Sequence, residues 1–394
     1  MKQAIRRAID QWKLPPAARE EQKRDAAGLP AEDPGTERVL PALIAWMARA
    51  QDRSASQDGG VARDYSLVKG WASSYPETTG YIIPTLLAYA RRSGDADARA
   101  RALRMTDWLV SIQLPDGGFQ GGKVDSTPVV PVTFNTGQIL LGLAAAQQET
   151  GRYLEPMRRA ADWLVRTQDA DGCWRQHESP FAGRGDKQYE THVAWGLFEA
   201  ARVEPGRGYG EAGLRNVRWA IASLADNGWF PQCCLTDPDQ PLTHTLGYAL
   251  RGVLEAHRHE PAADLLGAAQ RSARGLMSAL RPDGFLPGRL AADWSAGVSW
   301  ACLTGTAQVA HCWLLLHQLT GAPDYLNAAR LANGYVRRTV LLEGPADQVG
   351  GVKGSFPVQG SYGRYEYLNW APKFLADSLM LEADVLAAAA ARAA

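Results

Sequence analysis

The sequence predicts an all-α fold: an (α/α)6 toroid, a barrel of six helical hairpins closed into one domain. Two observations carry that expectation. A helix followed by an Asp-Gly or Asn-Gly turn and an aromatic residue recurs at a fixed spacing, and amphipathic helices alternate with nearly apolar ones along the chain.

The turn unit reads WLVSIQLPDGGF (Trp108 to Phe119), WLVRTQDADGCW (Trp163 to Trp174), WAIASLADNGW (Trp219 to Trp229) and LMSALRPDGF (Leu276 to Phe285). The closing aromatics Phe119, Trp174, Trp229 and Phe285 stand 55, 55 and 56 residues apart. Weaker copies flank them, QDGGV at Gln57 to Val61 and GVKGSF at Gly351 to Phe356. A fixed period of this length marks a repeated supersecondary unit, so the 394 residues need not divide into several domains.

Each period holds two helical patterns. FNTGQILLGLAAAQQET (Phe134 to Thr150) is apolar almost throughout, as a helix buried on all sides must be. YLEPMRRAADWLVRTQ (Tyr153 to Gln168) sets charges on one face and Leu154, Met157, Ala161, Leu164 and Val165 on the other, as a sheathing helix does. The alternation places inner helices near 78–92, 134–149, 190–202, 243–258, 299–319 and 367–382. It places outer helices near 36–51, 96–113, 152–168, 209–224, 262–280 and 323–341. Short polar connections such as RRSGDAD and TGRY supply the glycines that helix C-caps favour. An open solenoid of helix pairs is the competing arrangement, but solenoid units are shorter and amphipathic in both helices. Residues 1–35 read as a partly irregular N-terminal arm, and 36–394 as the toroid catalytic domain.

Composition excludes several classes. Lys+Arg and Asp+Glu both number 42, which gives no electrostatic reason to expect nucleic acid or an anionic membrane as partner. The first twenty residues have no apolar core of a secretory signal, and no apolar run is long enough to span a bilayer. Five sparse cysteines (Cys173, Cys233, Cys234, Cys302 and Cys312) suit reduced thiols in a cytoplasm. The 13 Trp fit either a thick helical core or a sugar-stacking cleft. The oligomeric state is not readable from the sequence.

In a closed ring the inner helices begin at one end, where their unpaired N–H groups and dipoles favour an anionic ligand. The residues at those starts are therefore the site candidates. Threonines there also serve as ordinary caps. Glu190, His192, His244, Tyr81, Tyr248 and Tyr367 are the acid/base candidates, because ionisable groups on an apolar ring are costly unless paired or functional. Tyr75, Glu77, Asn135, Gln138, Trp174, Trp229, Gln308, Arg364, Asn369, Trp370 and Lys373 are the candidates for binding substrate. Lys373 with Arg364 is a candidate carboxylate clamp, against a plain salt bridge to Glu366 or Asp377. The acid/base scheme requires His192, His244, Glu190 and Tyr367 to converge within one sugar's width.

No GxGxxG, Walker or GxSxG motif occurs in a suitable context, and no cofactor is expected. Cys233 and Cys234 before His244, and Cys302 before His311 and Cys312, have zinc-ligand chemistry. Their spacing is poor for one tetrahedral site, so no metal is expected.

The repeated helix and Asp-Gly-aromatic units over roughly residues 36–390 resemble the alpha/alpha-toroid group: terpenoid cyclases, protein prenyltransferases, lanthionine cyclases and six-hairpin carbohydrate enzymes. The DxDD acid motif of terpenoid cyclases is absent; Asp237-Pro238-Asp239 is the nearest sequence. The segment WACLTGTAQVAHCWLLLHQLTGAPDYLNAARLANGYV (Trp300 to Val336) is similar to the Gly-x-Ala-Gln helix of glucuronyl carbon-5 epimerases. SYGRYEYLNWAPKFLADSLM (Ser361 to Met380) is similar to their tyrosine-rich C-terminal segment. YPETTGYIIPTLL and TFNTGQILLGL resemble toroid proteins of bacterial polysaccharide synthesis. The resemblance implies a carbohydrate substrate, anionic in character, and acid/base chemistry on a uronic-acid-containing glycan by an epimerase- or lyase-like enzyme. A hydrolase using Glu77 and Glu190 is a further option. The alternatives are a non-catalytic glycan-binding or scaffold toroid, and a cyclase or prenyltransferase-like enzyme with a dry apolar pocket.

Overall fold

The computed structural model describes residues 14–393, and the expectation for an N-terminal arm at 1–35 falls partly on residues 1–13, outside them. Thirteen α-helices run through the described residues. A first helix, α1 (Pro16–Ala26), precedes twelve that form the ring. The outer helices are α2 (Thr36–Asp52), α4 (Ala96–Ser111), α6 (Leu154–Thr167), α8 (Tyr209–Ala222), α10 (Ala263–Ser278) and α12 (Pro323–Arg337). The inner helices are α3 (Pro76–Ser93), α5 (Thr133–Thr150), α7 (Thr191–Val203), α9 (Thr243–His259), α11 (Leu303–Thr320) and α13 (Trp370–Ala393). Each inner helix packs on the next, and α13 packs on both α3 and α2, so the ring is closed as an (α/α)6 toroid.

The repeated turn explains the period. In five copies an Asp or Asn side chain accepts the backbone N–H two residues on: Asp58 from Gly60, Asp116 from Gly118, Asp171 from Cys173, Asn227 from Trp229 and Asp283 from Phe285. The glycine between them takes a positive φ, from 83° at Gly228 to 103° at Gly117. It also lies against the backbone of the next outer helix. A Cβ on Gly172 would sit 2.6 Å from the Arg215 carbonyl oxygen of α8; Gly117, Gly228 and Gly284 meet Arg159 of α6, Arg271 of α10 and Leu331 of α12 likewise. The sixth copy is Gly350, one residue before the expected start at Gly351, and it presses on Ala42 of α2. That contact joins the last repeat to the first.

Inner helices also approach through glycine. Gly80 abuts Ile139, Gly137 abuts Val193, and Gly196 comes up against the Gly137 carbonyl. Close backbone approach lets six helices surround a narrow axis without voids.

Two inner helices start three or four residues later than expected. α11 starts at Leu303 and not near 299, because β3 (Ala301–Cys302) pairs with β4 (Ser355–Phe356). α13 starts at Trp370 and not 367, because β5 (Glu366–Leu368) pairs with β1 (Asp64–Ser66), itself paired with β2 (Gly70–Trp71). These short strands brace the loops at the mouth of the ring. α13 also continues well past 382.

α1 backs the same loops. Lys353 is buried between the carboxylates of Glu21 (2.7 Å) and Asp25. Asp25 also accepts the Val358 N–H at 2.7 Å. The segment from Lys353 to Tyr365 is thereby held against the ring.

Gly172→Ala is expected to cost about 3 kcal/mol in chemical denaturation, from the left-handed backbone and the carbonyl clash together. Gly94→Ala shares the backbone conformation (φ 76°) but meets nothing within 4 Å, and is expected to cost only about 1 kcal/mol. Equal costs for the two would show that the turn contact is not what sets the repeat.

Candidate active site

A cavity of about 430 Å³ opens where the inner helices begin. Its walls come from opposite members of the ring. From α3 and its cap come Tyr75, Glu77, Thr78 and Tyr81; from α9, directly across, come His244 and Tyr248. α5 gives Phe134 and Asn135, the turn before α7 gives Tyr189, and α13 gives Trp370, with Tyr362 from the preceding loop and Arg63 from the segment entering β1.

The floor is aromatic and hydroxylic. Tyr81 and Tyr248 reach from opposite helices until their hydroxyls stand 3.5 Å apart. Phe134 packs edge-on to Tyr189 and Tyr248, with ring centroids 5.3 and 5.1 Å away. Trp370 donates its indole N–H to the Tyr362 hydroxyl at 2.9 Å, which leaves the Tyr362 proton available to another acceptor. Burial pushes the phenols of Tyr81, Tyr248 and Tyr362 well above their usual range, so they stay neutral donors. Tyr75 shifts the same way, through burial and then the neighbouring Glu77.

His244 has a fixed tautomer. Its Nδ1 lies 2.7 Å from Gln308 Oε1, which has no proton to give, so Nδ1–H donates and Nε2 keeps its lone pair. Burial lowers the imidazole to about 4, against the opposing Gln308 bond. His192 repeats the device with Gln138 Oε1 at 2.6 Å. Its ring lies 4.4 Å from Tyr248, on the side away from the cavity, and its Nε2 is sealed without a partner.

Glu77 faces the His244 wall. Burial raises its carboxyl to about 7, with the Tyr75 hydroxyl and the Arg63 charge opposing. Arg63 gives Nη1 to Asp64 (2.6 Å) and Glu366 (3.3 Å), and its other guanidinium nitrogens make no hydrogen bond among the described residues. Asn369, at the start of α13, donates Nδ2 to the Ala62 carbonyl (2.8 Å) and its backbone N–H to that of Arg63. Asn135 lines the cavity with its Nδ2 buried beside the Tyr75 hydroxyl.

The structure therefore brings Tyr81, Tyr248, His244, Tyr75, Glu77, Asn135 and Trp370 to one cavity, with Gln138, Gln308 and His192 behind its wall. It does not bring the quartet His192, His244, Glu190 and Tyr367 together, since only His244 reaches the cavity. Tyr367 is on β5 and faces Tyr65, donating to Gln348 Oε1 at 3.4 Å, because the strand turns it toward the α1 side. Glu190 is buried in the turn before α7, with Oε2 unpartnered and Lys187 nearby. Trp174 and Trp229 are core residues of their turns: Trp174 donates to the Leu164 carbonyl, and Trp229 packs edge-on to Trp294. Arg364 is exposed over the Tyr365 ring. Lys373 is paired with Asp377 at 2.8 Å inside the ring, so Lys373 and Arg364 form no clamp.

Sequence reasoning placed Phe134 and Tyr189 at inner-helix starts without giving them a role, and did not single out Arg63, Tyr362 or the rim residues Lys123, Ser126, Ser179, Phe181 and Leu235. The signal for the rim was loop length. The segments 120–132, 175–187 and 230–242 are long for connections in a compact domain, and long loops gather at sites.

Among the described residues no group of three or more His, Cys, Asp and Glu is placed to hold a metal ion. The Cys233 thiol donates to the Thr245 carbonyl at 3.2 Å, and Cys302 Sγ accepts the Gly305 N–H. No helix of the described residues is long and apolar enough to cross a membrane.

No family model matches the sequence, and no curated protein matches it at a significant level. Solved structures do resemble it in fold. An unsaturated glucuronyl hydrolase specific for heparin superposes with a TM-score of 0.73 at 15% identity, over 90% of this chain and 98% of that one. A sugar epimerase from a ruminal bacterium gives 0.71 at 12% identity, over 87% and 97%. A cellobiose 2-epimerase from Bacillus thermoamylovorans gives 0.67 at 11% identity, over 92% and 98%. The chain has the fold of these toroids.

Burial raises the Glu190 carboxyl to about 8 from an ordinary 4.5. The folded state holds a proton that the unfolded chain releases, so this stabilisation is full below pH 4.5 and is lost as pH rises to about 8. Glu190→Gln is expected to flatten that slope by on the order of 2–4 kcal/mol across the interval, read from denaturation midpoints at several pH values. A slope unchanged by the substitution would place the Glu190 carboxyl in contact with water.

Proposed function

We propose that this toroid is a carbohydrate-active enzyme that performs acid/base chemistry at the carbon next to the carboxylate of a uronic-acid unit. The carrying observation is the pairing of unspent N–H donors with a neutral base. The free nitrogens of Arg63, with Asn135 and the Tyr75 hydroxyl on the adjoining wall, suit a sugar carboxylate, and His244 Nε2 opens on the same cavity. Abstracting that proton requires the carboxylate charge to be neutralised as the carbanion develops, which hydrogen-bond donors fixed in advance do best. His244 takes the proton. Glu77 on the opposite wall, raised to about 7, returns one to the other face, which is what inversion at that carbon demands. The neutral hydroxyls of Tyr248, Tyr81 and Tyr362 hold the ring and serve a leaving group where elimination follows. The fold shared with glucuronyl hydrolases and sugar epimerases supports a sugar substrate.

Glycoside hydrolysis by paired carboxyl groups is less well supported. Glu77 is the one carboxyl-bearing side chain among the described lining residues, and Glu190 does not join it. A prenyl or terpenoid substrate calls for a dry apolar pocket, whereas this one carries an amide, a guanidinium, a carboxyl and several hydroxyls. A purely binding role makes no use of a neutral imidazole set across the cavity from a carboxyl raised to about 7.

Incubating uronate glycans with the protein in deuterated water is expected to place deuterium at carbon 5, or to raise absorbance from an unsaturated uronate. His244→Ala and Asn135→Ala are each expected to lower the rate by about 10²–10⁴-fold. Because His244 must be neutral and Glu77 protonated, kcat/KM for epimerisation is expected to rise through about pH 4 and fall through about pH 7. Release of a sugar with no deuterium incorporated would move the assignment to hydrolysis. Full activity in both variants would remove His244 and Asn135 from the chemistry.

A further inference from the structure

The acid/base groups occupy the deep part of the cavity, but its outer part is built differently. Three successive rim loops supply it: Gly122, Lys123 and Ser126 from the first, Ser179, Phe181 and Ala182 from the second, and Leu235 from the third. The loops interlock. The Gly183 N–H donates to the Leu235 carbonyl at 2.8 Å, tying the second to the third. Phe181 rests its ring edge on Gly122, where a Cβ would come within 2.6 Å of Cε2, tying the second to the first.

Phe181 is unusual in that setting. It lines the cavity, yet 55% of it is exposed, the second-highest exposure among the large apolar side chains that stand out to solvent. An aromatic ring held by one edge and bare on a face is costly to leave wet, and it offers a flat apolar platform. A sugar placed with its carboxylate on Asn135 and Arg63 and its ring beside His244 leaves that platform unused. Lys123 on the adjoining loop sets a cation beside it, 3.4 Å from Asp125 and 39% exposed.

We infer that Phe181 is the stacking platform for a second sugar ring, so the substrate class is an oligosaccharide or polysaccharide chain and not a free monosaccharide. The inference rests on the sugar-enzyme reading of the deep cavity and adds the length of substrate to it. The apolar face of the second pyranose lies on the Phe181 ring, and Lys123 meets an acidic substituent where that ring carries one. Phe181 acts in binding and takes no part in proton transfer.

The test compares methyl glucuronide with the disaccharide and tetrasaccharide of alternating glucuronate and N-acetylglucosamine, and with neutral cellobiose and cellotetraose. Binding is followed by calorimetry and turnover by deuterium incorporation, for the wild-type chain, Phe181→Ala and Phe181→Trp. The wild type is expected to favour disaccharide over monosaccharide at least tenfold. Phe181→Ala is expected to lower that ratio about tenfold, mainly through KM, and Phe181→Trp to restore it. A ratio unchanged in Phe181→Ala, while uronates are still bound and processed, overturns the platform and spares the reading of the deep cavity. Phe181-dependent binding of the neutral oligosaccharides without uronate turnover keeps the platform and overturns the uronate chemistry. Absence of binding to every sugar overturns both.

Discussion

The architecture depends on one contact made five times around the ring: a turn glycine (Gly117, Gly172, Gly228, Gly284 and Gly350) laid against the backbone of the neighbouring outer helix. An Asp or Asn side chain folds the turn, the glycine accepts the left-handed conformation, and the absent Cβ lets two backbones touch. The contact fixes how far each hairpin is rotated from the last. The chain returns to its start where Gly350 meets Ala42 and α13 meets α2. The position of the cavity follows from that closure, because each turn leads from the end of an outer helix to the start of an inner one and so gathers the inner-helix starts at one end.

Closure also determines the chemistry of the cavity. Residues on α3 and α9, far apart in sequence, face each other across it, so Glu77 and His244 approach a ligand from opposite sides. Behind them the polar groups are paired two by two, His244 with Gln308 and His192 with Gln138, each pair spanning adjacent helices. Burying neutral imidazole against an amide costs far less than burying a charge. The ring can therefore hold a base in its wall without a counter-ion.

The fold was legible in the sequence because its governing contact repeats there. Asp-Gly-aromatic units at 55 residues and the switch from charged to apolar helices state both the number of hairpins and their order. The inner-helix starts were legible too, which is why Tyr75, Glu77, Asn135, His244, Tyr248 and Trp370 were singled out. Depth and direction were not. Glu190 and Tyr367 read as helix-start residues, but a short turn and a three-residue shift of the α13 start take them elsewhere. Trp174 and Trp229 belong to the repeat itself and fill the core of each turn. Arg63 was invisible for a different reason: nothing local marks it, and its place is set by Asn369, some three hundred residues later, gripping the Ala62 carbonyl.

That last link has a consequence for how the molecule comes into being. Arg63 leaves the ribosome some three hundred residues ahead of Asn369 and Trp370, which hold and cover it. At ordinary synthesis rates of roughly 5–20 residues per second, the intervening chain takes on the order of 15–60 seconds to appear. Throughout that interval the early hairpins stand as an open arc with apolar inner helices lacking their final neighbours. The arc cannot hold the cavity, because one of its walls does not yet exist. Formation of the cavity is thus tied to synthesis of α13, and the nascent arc is the stage most in need of protection from aggregation.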